Sequence, residues 1–146
     1  MTSRSRCTAI TERIKPNSRS CVLRVQTAHG AVLLTGDIEA RDETALLAGG
    51  QELAARVALV PHHGSRTSST PRFVAAIGAE HVVFTVGYGN RFGHPKAEVF
   101  ERYAGARRWR TDHDGAVTVL LDAQGVAVTG QREHARRYWR DTWLAR

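Results

Sequence analysis

Three short apolar runs constrain this chain more than any other feature. Residues 31–35, 57–60 and 82–86 each stop at glycine or proline, and polar side chains follow at once. Apolar runs of four or five residues bounded by such breakers read as buried strands. Segments with helical spacing lie between them. Residues 39–48 carry Ala45, Leu46 and Leu47 among acidic and polar neighbours and stop at Gly49-Gly50. Thr70 is placed to cap a helix that opens on Pro71 and turns Phe73, Val74 and Ile77 inward. The pattern predicts an α/β unit. Open sheets of that class gather ligands at strand ends, and three polar clusters fall there: Gly36-Asp37, His62-His63-Gly64-Ser65, and residues 90–94.

The flanking segments complete the outline. Cys21, Leu23 and Val25 alternate with Val22, Arg24 and Gln26, which predicts a half-buried strand turning back at His29-Gly30. Pro95 suits the start of a helix that continues through Val99 and Tyr103 to Gly105. Trp109 leads to a strand, and residues 117–121 and 126–129 form a hairpin. Residues 1–19 are expected to be an irregular segment, 20–131 the packed domain, and 132–146 a basic closing helix. In that tail Arg132, Arg136, Arg137 and Arg140 stand beside Tyr138, Trp139 and Trp143. It reads either as an amphipathic helix with its rings on the core, or as a surface that pairs phosphates and stacks bases.

Composition narrows the class. A length of 146 residues fits one domain. No window reaches the roughly 18 apolar residues of a bilayer span, and the basic N-terminal stretch has no signal-peptide core. Two cysteines without a CxxC motif predict reduced thiols rather than a disulfide framework or zinc knuckle. The net charge of +7 either attracts polyanions such as nucleic acid or reflects arginine-rich coding, since the chain has few lysines.

Asp37 has two readings at its strand end, a cap for the following helix or a hard oxygen ligand. The imidazoles of His62 and His63 read either as features of a capped loop or, together with Asp37, as a set suited to zinc or manganese, although sequence spacing alone does not bring them together. Ser65, Ser68 and Ser69 either donate to a phosphate or cap their own loop. Asn90 is grouped with them as a substrate contact. His94 either donates to a phosphoryl oxygen or leaving group, or orients its loop ahead of Pro95.

Taken in order, these motifs carry a resemblance. Asn17-Ser18-x-Ser20-x-Val22-Leu23, Leu33-Leu34-Thr35-Gly36-Asp37-Ile38-Glu39, Val60-Pro61-His62-His63-Gly64-Ser65-x-x-Ser68-Ser69, Gly87-x-x-Asn90-x-Phe92-Gly93-His94-Pro95 and Arg110-Thr111-Asp112-x-x-Gly115 resemble the end of ComEC-type DNA-internalisation proteins. The likeness covers residues 15–129. It implies a partial metallo-β-lactamase-like fold, the C-terminal half of an αββα sandwich with a metal centre at the edge of its sheets. It further implies that Asp37 bridges two metal ions and that His63 is a ligand, with His62 backing the loop or exchanging roles with it. The implied activity is metal-dependent DNA phosphodiester hydrolysis during uptake.

One departure tempers that expectation. Catalytic members carry an upstream His-x-His-x-Asp-His motif and a further histidine before the Gly-Asp strand. Neither is present, and His29 reads as a solvated turn residue. Asp37 and His63 supply two ligands where a catalytic zinc site has three. The isolated chain is therefore expected to bind zinc or manganese weakly, to hydrolyse little, and to leave an apolar sheet face exposed. Expected partners are DNA and the upstream half of the same domain or a ComEC-like membrane protein. The chain is expected to be soluble by itself, as an appendage of an inner-membrane parent. Two competing functions remain: a non-catalytic DNA-binding or docking module, and another small phosphodiesterase of the same fold.

Overall fold

A computed structural model describes residues 7–8 and 16–134. Six strands form one sheet in chain order: β1 (Cys7–Thr8), β2 (Val22–Thr27), β3 (Gly30–Leu34), β4 (Val57–Leu59), β5 (His81–Phe84) and β6 (Arg107–Arg110). The first three pair antiparallel, and β3 through β6 run parallel. Helices α1 (Ala40–Ala48), α2 (Pro71–Ile77) and α3 (Ala97–Arg102) make the crossovers between the parallel strands. The expected α/β class is the one observed.

Alternation along the strands divides the core. Leu33 and Ala58 pack with Phe73 and Ile77 of α2, while Val82 and Phe84 pack with Val99 and Tyr103 around α3. The opposite face carries Val57, Val83 and Trp109. It meets a second, two-stranded sheet, the hairpin β7 (Val117–Asp122) and β8 (Gly125–Gly130), through Val117, Val119, Val126 and Val128. The sheet face expected to lie bare is therefore covered over β4 to β6, and Val57, Val83 and Trp109 are buried. Each such side chain contributes about 2 kcal/mol through burial.

Local chemistry explains the element ends. Thr70 Oγ1 accepts from Phe73 N at 3.4 Å, Pro71 occupies the first helical turn, and Gly78 closes α2 in a left-handed conformation. Short helical turns α4 (Thr111–Asp114) and α5 (Gln131–His134) flank the hairpin.

Two expectations are corrected. Within the segment expected to be irregular, β1 adds an edge strand whose backbone places Cys7 opposite Leu23. Cys21, two residues from Leu23, is disulfide-bonded, so its thiol is not reduced. The closing helix expected over residues 132–146 lies largely outside the described residues. Among the described residues, no helix is long and apolar enough to cross a membrane.

Candidate functional site

The loops that leave β3, β4 and β5 are laced together at the C-terminal ends of these parallel strands. Gly36 has a positive φ of 58°, and a Cβ there would lie 2.9 Å from that of Ser20. This close approach lets Ser20 Oγ accept from Asp37 N at 2.9 Å. Gly36 O accepts from His62 N at 3.1 Å, tying the loop after β3 to the loop after β4. His62 and His63 both adopt left-handed backbone, with φ of 49° and 57°. Two consecutive non-glycine residues in that region store about 1 kcal/mol or more each, a strain that concentrates at functional loops. Gly64 follows at φ 82°, pressed against Pro95 and Phe84, and its carbonyl accepts from Lys96 N at 3.0 Å.

This lacing aims two side chains at each other. His63 Nε2 lies 3.4 Å from Asp37 Oδ1. On the far side of the ring, Nδ1 lies 2.7 Å from Thr85 O and 3.0 Å from Thr85 Oγ1. A carbonyl only accepts, so Nδ1 carries the hydrogen and a neutral ring presents its lone pair to the carboxylate. Two acceptors face each other, and that arrangement is favourable only with positive charge between them, a proton or a cation. The side chains are 45% and 43% exposed, so the gap is open to solvent. A carboxylate oxygen and an imidazole nitrogen oriented by a backbone carbonyl fit part of a zinc or manganese ligand set. Among the described residues no group of three His, Cys, Asp or Glu side chains completes it.

His62 belongs to a different network. Its Nδ1 lies 3.2 Å from Thr67 Oγ1 and 3.6 Å from Glu39 Oε1, and its Nε2 lies 3.4 Å from Asn17 Nδ2. Of the adjacent histidines, His63 is the one that faces Asp37. The His94 ring stands 6.2 Å from that of His62. Asn90 holds His94 from both sides, accepting from its N–H at 2.8 Å and donating to its carbonyl at 2.9 Å. Nδ1 of His94 is buried with no hydrogen-bond partner among the described residues. Burial first, then the Lys96 cation and the adjoining His62 and His63 rings, hold its pKa below the usual histidine value.

The serines divide. Ser65 Oγ lies 3.2 Å from Thr67 Oγ1 beside the His62 network. Ser68 donates to Pro61 O at 2.9 Å, and Ser69 Oγ accepts from Tyr103 Oη at 3.0 Å. Both are fully buried, so their hydroxyls hold the loop together. His29 lies in the turn between β2 and β3, at the opposite end of β3 from Asp37, where its N–H donates to Thr27 Oγ1.

Sequence reasoning missed Glu39, Thr67, Thr85 and, above all, Glu43. The Glu43 carboxylate is wholly buried and accepts from Ser69 N and from Thr70 N. Burial pushes its pKa up, while those backbone donors and Arg102 pull it back. Arg102 donates to the carbonyls of Ser68 and Ser69 at 3.1 and 3.0 Å, closing the clamp. The available signal was spacing, since Glu43 shares the helix face of Leu46 and Leu47.

No protein-family model matches the chain. It is 37% identical over 129 residues to Competence protein ComA of Neisseria gonorrhoeae, an alignment covering 86% of this chain and 18% of that protein. It is 34% identical over 133 residues to YcaI of Escherichia coli K12, covering 89% of this chain and 18% of the relative. Against ComE operon protein 3 of Bacillus subtilis it is 30% identical over 103 residues, covering 69% of this chain and 13% of the relative. The chain thus spans less than a fifth of the length of the curated relatives it matches.

Proposed function

Starting from this kinship with competence proteins, we propose that the chain is part of a metal-dependent phosphodiesterase domain, metallo-β-lactamase-like in fold, that acts on DNA during natural transformation. The observation that carries the reading is the 3.4 Å approach of His63 Nε2 to Asp37 Oδ1, with the ring fixed by Thr85. A divalent cation, zinc or manganese, would be held in part by Asp37 and His63 and would polarise a phosphoryl oxygen and make water more acidic.

The chain's own residues have separable roles in this reading. Asp37 offers a hard anionic oxygen. His63 offers a neutral nitrogen whose ring cannot swing away while Nδ1 is bound to the Thr85 carbonyl. Burial, and after it the Lys96 cation, disfavour the charged form of His94. A phosphate arriving beside it favours its charged form, which readies the ring to donate to a departing oxygen. Further ligands would come from a segment bearing the His-x-His-x-Asp-His motif that this chain lacks. The partners in this reading are DNA and a ComEC-like membrane protein.

The test joins this chain to a half-domain bearing that motif and measures manganese-dependent cleavage of single-stranded DNA. Asp37→Ala is expected to lower the rate about 100-fold, the upper end of what weakened metal sites lose. Undiminished cleavage by that variant ends the assignment. A second reading, a DNA-binding module without hydrolysis, is favoured by the net charge of +7. Binding that weakens steeply with salt and ignores chelator, with no cleavage in the fusion, selects it instead.

A further inference from the structure

We propose that the loop between β5 and α3, residues 87–94, is a stacking platform that seats single-stranded DNA beside the Asp37–His63 pair. The inference rests on the reading above for where the strand leads, and is independent of it for the binding itself. Isolated apolar side chains on a surface are ordinary. Here, however, two of the three large exposed hydrophobic residues among those described, Tyr88 at 91% and Phe92 at 62%, sit on this one loop.

The rings are held outward by a braced backbone. Asn90 N and Nδ2 donate to Gly87 O, Gly93 N donates to Asn90 O, and the Asn90 amide clasps His94. Lys96 Nζ donates to Phe92 O at 2.7 Å. An ordered loop loses little conformational entropy when a ligand binds, so presented rings translate directly into affinity. The chemistry presented is mixed: Arg91 lies 5.0 Å from the Phe92 ring centre, and Lys96 stands at the loop's base. Flat rings interleaved with cations match a ligand that is itself flat rings on a polyanionic backbone.

The rings are also neighbours in succession. Phe92 stacks on His94 with centres 6.0 Å apart and planes 15° apart. The His94 ring lies 6.2 Å from that of His62, which lies 6.4 Å from that of His63. A base seated on Phe92 therefore lies beside a succession of neighbouring rings that leads to the carboxylate–imidazole pair, the two histidine contacts being tilted by 55° and 61° rather than stacked. In duplex DNA the base faces are already stacked on one another, so the platform favours single strands.

The test is fluorescence anisotropy of labelled oligothymidylate titrated with the 146-residue chain, in EDTA so that no metal chemistry contributes. The Tyr88→Ala/Phe92→Ala double variant is expected to bind about tenfold more weakly or worse, and Phe92→Trp to bind as the parent does. Duplex of the same length is expected to bind more weakly and to be indifferent to the double substitution. Both sites are exposed, and an unchanged thermal melt confirms that the fold is intact. Parent-like binding by the double variant overturns the proposal, as does an equal loss for duplex. In the cleavage assay, Asp37-dependent hydrolysis with parent-like binding by the loop variant would leave the hydrolase reading standing and remove this one. Loop-dependent binding with Asp37-independent cleavage would do the reverse.

Discussion

Two carboxylates in this chain follow opposite designs. Glu43 is sealed from solvent, and both its oxygens accept from backbone N–H groups at the start of α2. Asp37 sits in the solvent-open loop after β3, its backbone fixed by Ser20 while its side chain faces His63 Nε2 across 3.4 Å. The first satisfies every neighbour and leaves nothing for a ligand. The second holds two acceptors in opposition, an arrangement that only an added positive charge relieves. The contrast separates a carboxylate that builds a loop from one that the loop has been built to present.

Breaking the sealed clamp should have the largest effect. Glu43→Ala orphans two buried backbone donors and is expected to cost about 3 kcal/mol in urea unfolding. Next comes the left-handed segment shared by both regions. Gly64→Ala would put a Cβ 2.8 Å from Pro95 Cβ at a φ of 82°, and about 2 kcal/mol should be lost. Gly50→Ala has a φ of 63° with open space around it, so it isolates the backbone strain at about 1 kcal/mol.

A pH series sharpens the contrast further. Burial raises the Glu43 pKa in the folded state, so the contribution is greatest below the unfolded carboxyl pKa and declines as pH rises through the folded one. Glu43→Gln should abolish that component, and its stability relative to the parent should improve as pH increases. Parallel curves would show that Glu43 is not the titrating group.

The smallest stability effect is expected where the functional effect is greatest. Asp37→Ala should change unfolding free energy by less than about 0.5 kcal/mol, since its contact with His63 is half exposed. Zinc titration of the same variant should show weaker binding than the parent. A large loss of stability with unaltered zinc binding would make Asp37 a builder like Glu43 and erase the distinction.

Much of this layout was legible in the sequence. The apolar runs at residues 57–60 and 82–86 became β4 and β5, each slightly shorter than read because the last residues already turn toward the loop. The Thr70-Pro71 start of α2 was legible because capping is local chemistry. Asp37 and the histidine pair were legible as candidates, but spacing could not decide between His62 and His63. That choice depends on two left-handed residues and on Thr85, more than twenty positions away. Glu43 was only partly legible for the complementary reason: its spacing from Leu46 and Leu47 marked an inward helix face, but its donors come from another loop. The hairpin was recognised, but its role as cover for β4 to β6 arises only from tertiary packing.

The sheet has one more property with a consequence. Its strands lie side by side in the order in which they occur along the chain, from β1 to β6. Every strand therefore joins an edge already formed by its immediate predecessor, and none is inserted between earlier ones. As the polypeptide emerges from the ribosome, such a ladder can grow by accretion, one rung at a time. The last hairpin then closes over a surface already laid down.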